Sequence, residues 1–222
     1  MKEFGEGPLS QFAAFVYTLL VVELLLLVSG APAVVLLMLL GRDASNIPLA
    51  VVCALPLGPA ISAALYALRH RRGDLTDLTP AAAYLRGYRL NLLGVLKIWV
   101  PWLVWLSVVA VNLANFGAAG VPPWWAGLLV VVVVASALWE ANALMITSLF
   151  EFRTRDVARL ATYFLVRTPG TTLGNACLLV VAAGVLVVSS EAVLALLGVV
   201  FVLAYLWNSR PIVAAVRQEF TA

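Results

Sequence analysis

The sequence predicts an all-α integral membrane protein, a single transmembrane helical-bundle domain over residues 1–222. Three observations carry this. Of the 222 residues 64% are hydrophobic and 11% charged, against roughly 45–50% and about 25% in soluble domains. Mean hydropathy is +1.04. Successive apolar stretches reach the roughly 20 residues needed to cross about 30 Å of hydrocarbon. Such a balance excludes a disordered chain, a nucleic-acid-binding domain and an ordinary soluble enzyme. The 14 Lys+Arg against 11 Asp+Glu leave a net charge of +3, so no polyanion-binding surface is indicated.

Six spans are expected, with five as the alternative. The first is Phe12–Leu40, interrupted by Glu23. It is far longer than the apolar part of a signal peptide, about 7–15 residues, so the N-terminus is not read as a leader. The second, Ile47–Leu68, is uncharged but carries Pro48, Pro56 and Pro59. The third runs from Asn91 to Ala114 and contains Lys97; the fourth, Trp124–Phe150, contains Glu140. Thr172–Val188 and Ala192–Trp207 are each short and separated by Ser189-Ser190-Glu191. As one helix they would reach about 54 Å at 1.5 Å per residue, so a break is expected between them.

Orientation follows from the basic residues, which collect on the cytoplasmic side of membrane proteins. With the N-terminus inside, the inner side receives Lys2, Arg69, Arg71, Arg72, Arg86, Arg89, Arg153, Arg155, Arg159, Arg167, Arg210 and Arg217, and the outer side Arg42 alone. An even number of spans with both termini cytoplasmic fits. Asn115–Pro123 followed by Trp124-Trp125 reads as an outer loop entering an aromatic belt.

Two inner segments read as basic amphipathic helices lying at the interface with anionic headgroups. Thr79-Pro80 opens Ala81–Leu90, with Tyr84 and Tyr88 on one face and Arg86 and Arg89 elsewhere. After span four, Val157, Leu160, Phe164 and Leu165 recur at near-helical spacing beside Arg155 and Arg159, up to Thr168-Pro169-Gly170. The order span, basic linker, interfacial helix, span thus occurs twice, which admits a parallel repeat. With Arg69, Arg71 and Arg72, these arginines form the candidate interaction surface.

Within the spans, ionisable groups cost at least ~2.5–3.5 kcal/mol and normally face the protein interior. Glu23, Lys97 and Glu140 are therefore candidate polar-site residues. A Lys97–Glu140 pair is one reading; a proton or substrate relay is another; a lysine reaching the headgroups is a third. Prolines remove a donor and clash with the preceding turn. Pro56-Leu57-Gly58-Pro59 should therefore split span two into Ile47–Leu55 and Pro59–Leu68 near mid-membrane. The freed helix N-terminus at Gly58 and Pro59 suits a carboxylate ligand, as in transporters with discontinuous helices. A plain proline kink, or internal capping by Glu23 or Glu140, explains the same residues. Beyond it, Ala60, Ala63, Ala64 and Ala67 form small-xxx-small pairs for close helix packing. Trp99, Trp102 and Trp105 recur every three residues, as a packing surface or as an aromatic wall for a sugar.

Cys53 and Cys177 sit singly in apolar runs and His70 lies among arginines, so neither a metal site nor a cofactor is expected. No serine–histidine, paired-aspartate or metal-ligand arrangement suggests an enzyme. The run Pro56–His70 (PLGPAISAALYALRH) followed by Thr79–Lys97 (TPAAAYLRGYRLNLLGVLK) resembles the YesL-like family of small bacterial membrane proteins. The likeness rests on Gly58, Pro59, Ala63, Ala64, Leu65 and Tyr66, and more loosely on Tyr84, Arg86 and Tyr88, where the family's phenylalanines stand as tyrosines. It covers Leu55–Lys97; elsewhere the likeness is one of hydropathy. The family has no assigned molecular function, and its genes often accompany sugar-uptake ABC transporters and polysaccharide-degrading enzymes. The resemblance implies a bacterial cytoplasmic membrane and a role beside carbohydrate uptake, with transporter subunits as partners.

Overall fold

The computed structural model describes residues 8–41, 43–71 and 79–220, which are helical almost throughout. Helix α1 (Pro8–Leu39) is followed by a 3-10 turn (Ala44–Asn46), α2 (Ile47–Cys53), α3 (Leu57–Arg69) and α4 (Pro80–Ala114). Then come α5 (Trp124–Leu149), α6 (Thr154–Arg167), α7 (Pro169–Val188), α8 (Glu191–Leu196), α9 (Gly198–Asn208) and α10 (Arg210–Phe220). No strand occurs among the described residues.

Five stretches are long and apolar enough to cross a membrane: α1, the α2–α3 pair, α4, α5 and α7. Taking α9 with α10, bent by 50° at Ser209, as one more gives up to six. At most 39% of the most apolar window of any of the five is buried within the protein. Val187 and Val188, for example, are 86% and 85% exposed. Soluble monomers rarely show contiguous apolar patches beyond a few hundred Å². An outward surface of this kind is compatible with a multi-pass membrane protein.

Helix α3 is the centre of the bundle, and its alanines explain why. Ala60, Ala63, Ala64 and Ala67 are all buried, and their small side chains let α1, α4, α5 and α9 close around the helix. On α4, a Cβ at position 87 would lie 2.6 Å from Tyr66 Cβ, so glycine there sets the distance between α3 and α4. Tyr84 on α4 ties three helices together. Its hydroxyl is 2.6 Å from Ser29 Oγ on α1 and donates to the Ala60 carbonyl on α3 at 3.3 Å.

The segment Ala81–Leu90 is not a separate interfacial helix. It is the first part of α4, which runs unbroken for 35 residues, about 52 Å. Proline stands at the start of α4 and again at Pro101, but nothing near residue 90 breaks the backbone ladder. Arg86 and Arg89 are therefore carried on the first turns of α4, in line with the rest of that helix.

The second expected segment is a helix of its own, α6, ended by Thr168 and Pro169. Its apolar face is not free for lipid. Val157, Leu160, Ala161 and Phe164 are buried in one cluster with Ala143 and Ile146 of α5 and Ile212 and Val216 of α10. Both α6 and α10 thus cover one end of the bundle while Arg155 and Arg159 stay exposed.

The break expected at Ser189–Glu191 is present. Helix α7 ends at Val188, and Ser190 caps α8 by accepting from the Val193 N–H at 3.4 Å. The chain then returns to the end where α7 began. Asn208, the last residue of α9, donates from Nδ2 to the Thr171 carbonyl and to Asn175 Oδ1, both at 2.8 Å.

Candidate functional site

The irregularity in span two lies at Ala54–Pro56, between α2 and α3. Helix α3 starts at Leu57, so Gly58 and Pro59 fall within its first turn and Pro59 is not its first residue. The pair still counts as one stretch, Ala44–Arg69, which makes the feature a kink. The kink is filled from α4. Trp99 Nε1 donates to the Ala54 carbonyl at 3.2 Å, beside the Leu57 N–H that the same carbonyl accepts at 3.2 Å. Its indole presses on Gly58, where a Cβ would lie 2.7 Å from Trp99 Cγ and Cδ2. Gly58 and Pro59 are buried.

Glu23 is not at this kink. It stands midway along α1 and reaches the break between α8 and α9, where Glu23 Oε2 accepts from the Val199 N–H at 2.5 Å. A carboxylate at a helix N-terminus meets both the unpaired N–H groups and the positive end of the dipole. Gly198 permits the approach, since a Cβ there would lie 2.7 Å from Leu26 Cδ2. The discontinuous helix capped by a carboxylate thus exists, but at Leu197–Gly198, and the carboxylate is the chain's own.

Lys97 and Glu140 do not meet. Lys97 is exposed on the side of α4. Glu140 is 3% exposed, and neither carboxyl oxygen has a hydrogen-bond partner. Next to it in sequence, the Ala141 carbonyl accepts from the Tyr205 hydroxyl of α9. One turn on, Ser209 Oγ is buried without a partner, as is Asn175 Nδ2 on α7.

A further polar node joins α3, α4 and α5. Asn91 Nδ2 donates to Ser62 Oγ at 3.2 Å and to the Ser148 carbonyl at 3.0 Å, while Ser148 Oγ donates to Ser62 Oγ at 2.8 Å. Asn91, Ser148, Asn175, Tyr205 and Asn208 escaped the sequence reading, whose candidate polar-site residues within the spans were the charged Glu23, Lys97 and Glu140. Uncharged polar residues recurring inside apolar runs were the available signal.

Trp99 and Trp102 stand side by side on α4. Trp99 and Trp102 have ring centroids 5.1 Å apart, and Trp102 Nε1 donates to Ser136 Oγ on α5 at 3.4 Å. Trp124 and Trp125, stacked at 4.5 Å, are exposed at the start of α5.

Arg69, Arg71, Arg86 and Arg89 are exposed at the end of the bundle where α3 stops and α4 begins; Arg72 lies outside the described residues. Thr18, Tyr66, His70, Arg71, Thr79 and Arg86 line a cavity of about 460 Å³ there. His70 stacks on Tyr66 with centroids 4.2 Å apart, and its Nδ1 is 2.9 Å from the Tyr66 carbonyl. Among the described residues no group of three or more His, Cys, Asp or Glu side chains is placed to hold a metal ion. Comparison of the chain with protein-family models, curated proteins and solved structures found no match.

Proposed function

We propose that the protein is a non-enzymatic, six-span protein of a bacterial cytoplasmic membrane, with both termini inside, acting as an accessory or interaction protein of a carbohydrate uptake system. The sixth span is the stretch Ala192–Trp207, carried by α8 and α9; α10, whose buried face packs with α6, lies outside it. The orientation rests on the arginines, twelve basic residues to one in favour of a single side. The partner class, ABC sugar-transporter subunits, rests on the resemblance to the YesL-like family.

One observation carries the interaction reading. Both membrane-depth irregularities are closed by the chain's own groups, Trp99 at the kink and Glu23 at the α8–α9 break, while the arginine-bearing end stays exposed. Recognition through that end is the arrangement this favours. Extraction in mild detergent should recover sugar-transporter subunits with the wild-type chain and lose them in Arg86→Gln/Arg89→Gln. Equal recovery with both would remove these arginines from the interface. Labelling of Thr76→Cys from outside, in a cysteine-free background, would overturn the orientation.

A second reading, a small transporter or channel, is favoured by Glu140, a buried carboxyl without a partner. A site at Gly58 and Glu23 would require Trp99 and the α9 N-terminus to be displaced. Flux in proteoliposomes that disappears in Glu140→Gln would support transport through this region; unchanged flux would exclude Glu140 from it.

A further inference from the structure

A second, larger concavity opens on the other side of Arg71, lined by the end of α3 and by residues of α9 and α10. Its volume is about 810 Å³. Along α9 its wall is apolar, formed by Val200, Leu203, Ala204 and Trp207 at helical spacing. At its polar end stand four arginines from two separate elements: Arg69 and Arg71 at the end of α3, Arg210 and Arg217 on α10. Among the described residues no acidic side chain lines it.

Two of the guanidinium groups are held in place by aromatic faces. Arg71 Cζ lies 4.7 Å from the centroid of the Phe15 ring, and Arg210 Cζ 5.5 Å from that of Trp207. Stacking fixes the plane of a guanidinium and leaves its N–H edge free for a planar or tetrahedral oxyanion. Among the described residues no carboxylate pairs with Arg69, Arg71 or Arg210. A cluster of cations beside an apolar wall at the end of a membrane bundle matches a molecule with a phosphate head and a hydrocarbon tail.

We infer that this groove is a specific binding site for an anionic glycerophospholipid, its phosphodiester held among Arg69, Arg71, Arg210 and Arg217 and an acyl chain laid along Leu203, Ala204 and Trp207. The site is distinct from the general attraction of basic helices to a charged surface, because it pairs a fixed set of guanidinium groups with an apolar channel. It is independent of the protein partner proposed above.

The test is native mass spectrometry of the full chain in neutral detergent, titrated with phosphatidylglycerol, cardiolipin, phosphatidylcholine or inorganic phosphate. The wild type should retain one anionic lipid and release phosphatidylcholine. Arg69→Gln/Arg71→Gln/Arg210→Gln/Arg217→Gln should weaken anionic lipid by about tenfold or more. Should that variant fail to give a monodisperse protein, Arg71→Gln and Arg210→Gln are measured singly, each expected to weaken binding. Ala204→Trp, which keeps every arginine but fills the channel, should weaken it as well. Arg155→Gln/Arg159→Gln, equal in sign but outside the groove, should leave it unchanged. Equal losses from the α6 pair, no effect of Ala204→Trp, or displacement of the lipid by inorganic phosphate would each overturn the assignment.

Discussion

Replacing Gly58 by alanine tests how the kink is closed. On an ordinary helix the change is favourable, because glycine in a helix interior is about 0.5–1 kcal/mol worse than alanine. Here the new methyl group would sit 2.7 Å from Trp99 Cγ and Cδ2 and 2.9 Å from Cδ1. These atoms are at the root of the indole, so the ring can move only by leaving its rotamer or by pushing α4 away. Overpacking of this sort costs about 1–3 kcal/mol. A shifted indole also loosens the hydrogen bond to the Ala54 carbonyl, worth about 1 kcal/mol. The net expectation is a destabilisation of about 1–3 kcal/mol, read as a lower midpoint in reversible unfolding from mixed micelles. Gly184→Ala, where no heavy atom stands within 4 Å of the added Cβ, should be neutral or favourable by up to about 1 kcal/mol. In Gly58→Ala/Trp99→Leu the smaller side chain makes room, so the double variant should fall short of the summed single effects by about 0.5–3 kcal/mol. Additive effects, or a Gly58→Ala as stable as Gly184→Ala, would refute the packed kink.

Three further outcomes are expected. Glu23→Ala should destabilise by about 1 kcal/mol through loss of the α9 cap, whereas Glu23→Gln, which keeps an acceptor, should lose less; equal losses would make charge rather than the acceptor decisive. Asn91→Ala removes a donor shared by Ser62 and Ser148 and should cost about 1 kcal/mol in the same unfolding assay, with Asn91→Gln not restoring it because the longer arm misplaces the amide. Asp43 accepts from the Ser45 N–H at 2.8 Å, and hydrogen bonding to Ser45 holds its carboxyl below the usual range. Because the folded value is the lower one, this contribution is present above the unfolded value near about 3.9 and lost as pH falls through the folded value. Exchange protection of the Ser45 amide should decline over that range and become independent of pH in Asp43→Asn.

The parts of the fold that depend on local pattern were legible. Apolar length located the five stretches long enough to cross a membrane, the alanine spacing in α3 predicted its burial, and Ser189-Ser190-Glu191 marked the turn before α8. The kink near Pro56 was readable for the same reason, since proline acts on its own backbone. What closes each irregularity was not. Glu23 and Val199 are 176 residues apart, and Ala54 and Trp99 are 45 apart; no periodicity joins them. The α8–α9 break was missed because Gly198 offers a weaker signal than proline and its cause is a carboxylate on another helix. Conversely, the basic, aromatic composition of Ala81–Leu90 suggested a helix parallel to the membrane. In the structure the segment is instead the first part of α4, continuous through Asn91.

How the two irregularities are filled bears on which end of the molecule works. Non-helical backbone at membrane depth persists only where protein or a wet cavity satisfies it. In this chain each irregularity is met by a group that is itself fixed: Trp99 by contact with Gly58, and Glu23 by the Val199 N–H. Opening the α8–α9 break to a ligand would strand the Val199 donor in a poorly hydrated setting, where an unmade hydrogen bond costs about 1–3 kcal/mol, and opening the kink would take Trp99 from the Ala54 carbonyl and from its seat on Gly58. The arginine-bearing end carries no such cost. Its guanidinium groups are exposed, and those of Arg71 and Arg210 lie over the Phe15 and Trp207 rings, so an incoming phosphate or carboxylate reaches them without displacing a helix cap. Binding is therefore cheapest where the bundle meets solvent, which is why the functional reading and the lipid site are both assigned to that end.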